Sequence, residues 1–171
     1  LTDDDGVIPD KLGESLARLK KAGPCPKFLY LVPTFANPTG TSIPEGRRKA
    51  ILDLAHEHDL VIVEDDPYGK LRFDGDEVPS IHSLDKGEGR VIYLGTFSKI
   101  LVPGFRLAWT VAPMEATRKM VISKQSVDLC TNPFTQYIAA DLLVGGLIDR
   151  HLPEIVSLYR KKRDIMLHAM D

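Results

Sequence analysis

The chain has 171 residues, 43% of them hydrophobic and 27% charged, with a formal net charge of −2. That composition is ordinary for one globular domain with a core of its own. The small net charge gives no electrostatic basis for binding nucleic acid or an anionic membrane, and no apolar run approaches the roughly 18 residues needed to span a bilayer.

In chain order, the acidic start Leu1-Thr2-Asp3-Asp4-Asp5-Gly6 is not a signal peptide. Residues 9–21 carry leucines at 12, 16 and 19, the spacing of an amphipathic helix, with Pro9 near its start and Gly23 closing it. Lys27 to Val32 reads as a short strand, followed by a turn-rich stretch from Pro33 to Ser42 that contains Asn37-Pro38-Thr39-Gly40. Pro44 to His58 predicts a helix with Ile51, Leu54 and Ala55 facing inward. Leu60 to Val63 is an almost wholly apolar strand, as in a parallel sheet covered on both faces, and it ends at Glu64-Asp65-Asp66-Pro67-Tyr68.

A less regular stretch runs to about Gly89. Val91 to Leu94 predicts another strand, leading into Gly95-Thr96-Phe97-Ser98-Lys99. Arg106 to Val111 predicts one more, antiparallel because no helix intervenes, with Trp109 packed in the core. Beyond Pro113 the pattern is helical to the end, broken near Asn132-Pro133 and Gly145-Gly146, with one long final helix from about Leu152. The basic run Arg160 to Arg163 reads as a solvated helix face. Together these elements predict an α/β fold, a mostly parallel sheet with helices on both faces that ends in a helical segment.

Two cysteines, Cys25 and Cys130, lie outside any CxxC or Cys/His pattern, so the chain reads as intracellular and without a disulfide framework. His56 and His58 are two residues apart on a helix and do not share a face, so no metal site is expected.

The chemistry gathers at strand ends, where open α/β sheets form ligand sites. Three ends deliver Asn37, then Asp65 with Tyr68, then Thr96, Ser98 and Lys99, and Arg106 follows Lys99 by seven residues. Singly, each has an ordinary reading as a turn residue, a helix cap or a surface charge. As an ordered set they match the needs of pyridoxal 5′-phosphate (PLP). That cofactor takes a lysine amine, a carboxylate for its pyridine nitrogen, donors for its phenolic oxygen, and hydroxyls with an arginine for its phosphate.

The strings Val32–Gly40 (VPTFANPTG), Val63–Phe73 (VEDDPYGKLRF) and Tyr93–Trp109 (YLGTFSKILVPGFRLAW) resemble fold-type I PLP-dependent aminotransferases of class I/II. Within that group the sequence is most similar to the branch holding 2-aminoadipate, kynurenine and aromatic aminotransferases. The resemblance runs from about Leu29 to the C-terminus. It implies that Lys99 is the Schiff-base lysine, that Asp65 faces the pyridinium nitrogen, and that Asn37 and Tyr68 donate to the phenolic oxygen. Asp66 is the rival of Asp65, but the family spacing sets the tyrosine three residues after the aspartate. Thr96, Ser98 and Arg106 correspond to the phosphate ligands, with Thr96 where serine is frequent.

The activity implied is transamination between an amino acid and a 2-oxo acid, on 2-aminoadipate, aromatic or broader substrates, by a cytoplasmic homodimer that binds neither membrane nor nucleic acid. Other PLP chemistry, such as a lyase or decarboxylase, could use the same Lys99 and Asp65. An aminotransferase-like effector domain of a transcriptional regulator is a further alternative, although no helix-turn-helix is visible. Neither the family's glycine-containing phosphate loop nor its small domain has a counterpart here. Residues 1–171 are therefore expected to be a fragment of the PLP-binding large domain, with about 150–171 starting the helix toward the small domain.

Overall fold

A computed structural model describes residues 1–23 and 25–170. They divide into two compact units, the first made of Leu1–Asp66, Val78–Gly95 and Trp109–Lys119, the second of Pro67–Glu77, Thr96–Ala108 and Met120–Asp171.

The first unit opens with a feature the sequence did not predict. Strands β1 (Thr2–Asp3) and β2 (Gly6–Val7) pair antiparallel, with Thr2 opposite Val7. The turn between them needs Gly6, whose φ is 84°. Arg47 anchors the pair through Nη2, which lies 2.8 Å from Asp3 Oδ2. The acidic start is thus partly neutralised by an arginine from a later helix.

Helix α1 (Pro9–Ala22) has Pro9 in its first turn, where the missing N–H costs nothing, and Lys20 and Lys21 in its last turn, where they favour the dipole. Leu12 and Leu16 are its buried positions. Strand β3 (Phe28–Leu31) follows, then α2 (Glu45–Glu57), β4 (Val61–Asp65), a 3-10 turn at Gly69–Leu71, the short helix α3 (Ile81–Leu84), β5 (Val91–Thr96) and β6 (Ala108–Val111). The Ser80 side chain caps α3 by accepting from Ser83 N at 3.0 Å.

The main sheet has the order β3-β4-β5-β6. Strands β3, β4 and β5 are parallel, with Tyr30 opposite Val63 and Asp65 opposite Leu94. Crossovers through α2 and through the 69–89 region supply the long connections that parallel strands need, and the expected mostly parallel α/β sheet is what forms. Its core joins Leu12 and Leu16 of α1, Ile51 and Ala55 of α2, Ile62 of β4 and Val91 of β5. Leu54, expected to face inward, only packs against the edge of this cluster, while Leu52 is buried. The helix therefore presents a slightly rotated face.

Trp109 departs from its expected place. It is 36% exposed on β6, and its ring lies over Gly95, where a Cβ would stand 2.3 Å from the indole. The glycine is a seat for the ring. Gly95→Ala is expected to displace the indole and to cost about 1–3 kcal/mol by overpacking, read as a lower denaturant midpoint.

In the second unit, α5 (Pro133–Val144) and α6 (Leu147–Met170) pack together, burying Ala139 and Ile148. Helix α4 (Met114–Val127) runs from the first unit into the second. The expected breaks occur: Asn132 caps α5 by accepting from Phe134 N at 3.0 Å, and Gly146 has φ 64°. Helix α6 begins earlier than expected and carries Pro153 inside it. Its basic run is not uniformly solvated. Arg163 pairs with Asp74 and stands over the Phe73 ring at 5.2 Å, and Arg160 donates to the Phe73 carbonyl. The Arg163 guanidinium holds the Asp74 carboxyl below its ordinary range. Among the described residues, no helix is long and apolar enough to cross a membrane.

Candidate active site

In the first unit the candidate residues are Asn37 and Asp65. Asn37 sits, exposed, in the loop between β3 and α2. That loop is closed by its own backbone. Ile43 N donates to Pro33 O at 2.8 Å, Ala36 N to Thr41 O at 2.9 Å, and Phe35 N to the Ser42 hydroxyl at 3.1 Å. Beneath it lies Arg48 of α2, only 1% exposed. Its Nε donates to Ile43 O at 2.8 Å, Nη2 to Pro33 O at 2.9 Å and to Thr34 Oγ1 at 2.8 Å, and Nη1 to Pro79 O at 3.1 Å. One guanidinium therefore ties both ends of the Asn37 loop to the segment before α3.

Asp65 is the last residue of β4. Side chains alternate along a strand, so Val63 and Asp65 share one face and Glu64 the other. Because Tyr30 is opposite Val63, its side chain stands on the face of Asp65, and its hydroxyl donates to Asp65 Oδ2 at 2.6 Å. The neighbouring Asp66 is engaged separately: its Oδ2 accepts from the Tyr93 hydroxyl at 3.0 Å.

Glu64 faces the other way and has no exposed surface. Its two oxygens accept from Ile81 N at 2.9 Å and His82 N at 2.8 Å, at the start of α3. Burial pushes its carboxyl above the ordinary value of 4.5, while the two N–H donors and the charge of Arg48 oppose that rise. Such a group binds its proton more tightly folded than unfolded. Its contribution to stability is full below 4.5 and is lost as pH rises through the folded-state value. Glu64→Gln removes this term at the cost of one acceptor. Subtracting its melting curve from that of the unmodified chain, from about pH 4 to about pH 8, is expected to leave a downward slope with pH; a flat difference would contradict the assignment.

The second unit holds Tyr68, Thr96, Ser98, Lys99 and Arg106, of which Tyr68 lies near Lys99 and Thr96 near Ser98, while the Arg106 guanidinium donates to the Pro103 carbonyl at 3.1 Å. Tyr68 precedes the 3-10 turn at Gly69–Leu71, and Lys99 Nζ lies 6.0 Å from its ring centroid, at the outer limit of a cation–π contact. The Thr96 and Ser98 hydroxyls are 3.1 Å apart, and Ser98 N donates to Thr96 Oγ1 at 3.1 Å. Phe97 N donates to Leu107 O at 3.1 Å, which folds the Lys99 turn back on the chain after Arg106. Arg106 is not the first residue of a strand as expected. It adopts left-handed backbone (φ 54°, ψ 38°) after a 3-10 turn at Pro103–Phe105, and the strand begins at Ala108. Left-handed backbone cannot extend a ladder, so the reversal sets Arg106 apart from β6.

The donor chemistry of this second group, two hydroxyls with a lysine and an arginine, suits a phosphorylated ligand. The Asp65 carboxylate in the first unit suits a cationic nitrogen. Among the described residues, no group of three or more His, Cys, Asp or Glu is arranged to hold a metal ion.

Sequence reasoning did not find Tyr30, Arg48 or Glu64. The signals were present but unreadable alone. Tyr30 and Asp65 meet only in one strand register, and Arg48 lies in the charged run Glu45-Gly46-Arg47-Arg48-Lys49, which looks solvated.

A family model described as aminotransferase class I and II matches residues 3–171. The chain belongs to that family. It is 52% identical over 169 residues to aromatic-amino-acid aminotransferase 1 of Thermococcus litoralis, covering 99% of this chain and 40% of that protein. Its structure is similar to that of the Pyrococcus horikoshii kynurenine aminotransferase solved in complex with PMP, with TM-score 0.95, 51% identity, and coverage of 99% of this chain and 42% of the other. It is also similar to LysN, the α-aminoadipate aminotransferase of Thermus thermophilus solved with N-(5′-phosphopyridoxyl)-L-leucine, with TM-score 0.91, 41% identity, and coverage of 99% and 43%. The chain thus spans about two fifths of the length of the relatives it matches.

Proposed function

We propose that the protein carrying this chain is a PLP-dependent aminotransferase that exchanges an amino group between an amino acid and a 2-oxo acid, with aromatic or 2-aminoadipate-type amino acids as substrates. The family match over residues 3–171, which takes in Asn37, Asp65 and Lys99, carries this reading. PLP, when bound, supplies the sink for electrons released at the substrate Cα.

The chain's own residues divide the remaining work. Lys99 Nζ would hold the cofactor covalently, and its amine would serve as the general base for the Cα proton. The Asp65 carboxylate keeps the pyridine nitrogen protonated. Asn37 and Tyr68 donate to the phenolic oxygen. The Thr96 and Ser98 hydroxyls and the Arg106 guanidinium hold the phosphate, which arginine matches with two parallel N–H donors.

Residues 1–171 belong, in this reading, to the cofactor-carrying large domain, with the stretch from about 150 leading toward a smaller one. The protein is a cytoplasmic homodimer with small-molecule partners and no affinity for membrane or nucleic acid. The net charge of −2 supports the last of these, since it gives no electrostatic basis for binding nucleic acid or an anionic membrane. Light scattering on the full protein tests the dimer.

The test of the activity is an absorbance titration with PLP, followed by borohydride reduction and peptide mapping. A covalent adduct on Lys99 and amino-group exchange with a 2-oxo acid are expected. Release of ammonia or CO2 without exchange would overturn transamination in favour of lyase or decarboxylase chemistry.

A further inference from the structure

We propose that Tyr30 is a positioning residue for Asp65, holding its carboxylate in the plane that presents Oδ1 to the cofactor nitrogen. The proposal rests on the reading of Asp65 given above and adds a residue to it.

Two observations carry it. The first is register. Tyr30 is opposite Val63 in the parallel pair of β3 and β4, so strand alternation sets Tyr30 and Asp65 on one face, two residues apart along the ladder. The second is distance. The Tyr30 hydroxyl stands 2.6 Å from Asp65 Oδ2, in the range of the short O–H···O⁻ bonds that form to ionised acceptors.

The physical need is specific. The last torsion of an aspartate is broad and nearly two-fold, so an unsupported carboxylate rotates freely about it. Opposite a ring nitrogen, that freedom is lost on binding, and each misaligned orientation weakens the contact. A short bond to Oδ2 selects one plane before the ligand arrives. The same bond engages one lone pair of Oδ2, whereas Oδ1 keeps both of its own for the nitrogen.

The test uses the full protein and three variants: Tyr30→Phe, Asp65→Asn and the double substitution. Two quantities are read, the dissociation constant of PLP by absorbance titration and the shift of the cofactor's ring nitrogen by ¹⁵N NMR with labelled PLP. Tyr30→Phe removes one hydroxyl and is expected to raise the dissociation constant by about three- to tenfold and to move the ¹⁵N signal toward that of Asp65→Asn. Asp65→Asn is expected to weaken binding further. The double variant is expected to match Asp65→Asn, because a residue that acts through Asp65 has nothing left to act on.

A purely structural role for Tyr30 would make the two losses additive and leave the ¹⁵N signal of Tyr30→Phe in place; that pattern overturns the proposal. If Asp65→Asn alone changes both readouts and Tyr30→Phe neither, the proposal is overturned while the reading of Asp65 stands. If Asp65→Asn changes neither, the reading of Asp65 itself fails, and the role of Tyr30 falls with it.

Discussion

Arg48→Met is expected to lower the unfolding free energy by about 3–5 kcal/mol, the range for breaking a buried charged network by removing one partner. Arg48 is 1% exposed and donates to Ile43 O, Pro33 O, Pro79 O and Thr34 Oγ1. Methionine fills much of the volume but donates nothing. Each acceptor left dry costs about 1–3 kcal/mol, softened where it keeps a second donor, as Pro33 O does with Ile43 N. The buried Glu64 also loses a cation that favours its ionised form. Arg48→Lys keeps the charge, but one ammonium cannot span acceptors on three segments, so only part of the loss is recovered. Urea denaturation of the three proteins checks the order. An Arg48→Met protein as stable as the parent would show that the network contributes no net stability.

Lys99→Ala is expected to do the reverse, sparing the fold and removing the activity. Lys99 is exposed, and its amine makes a contact at the outer limit with the Tyr68 ring. Exposed substitutions of this kind usually change stability by less than about 0.5 kcal/mol, so the melting curve should barely move. The amine, however, is both the covalent anchor and the base in the proposed cycle. Loss of a general base alone costs about 10²–10⁴-fold in rate, and loss of the anchor adds to it. Single-turnover exchange of the amino group is the measurement, with added small amines as a rescue arm. Unimpaired exchange in Lys99→Ala would remove Lys99 from the chemistry.

The elements that build the sheet were legible because their signals are local. The apolar run ending at Glu64-Asp65 has few readings other than a buried parallel strand, and Pro9 and Gly23 bracket α1 as its ends require. The residues proposed for the site were legible only as an ordered set, since alone a lysine or an asparagine in a turn carries little information. What stayed hidden depends on distant partners. Tyr30 and Asp65 are 35 residues apart, and only the register of β3 on β4 joins them. Arg160 and Arg163 look like their neighbours Lys161 and Lys162 until Phe73 and Asp74 are brought to the same helix. Arg106 was misread as strand because hydropathy does not report a left-handed backbone.

The closed Asn37 loop has a consequence for any ligand that reaches it. Holding a stretch such as Pro33–Ile43 in one backbone conformation costs on the order of 10 kcal/mol in conformational entropy. Here that cost falls on folding, through the bonds within the loop and the guanidinium beneath it. Association then has little disorder to remove at this point, so the proposed contact of Asn37 would not be weakened by ordering its surroundings.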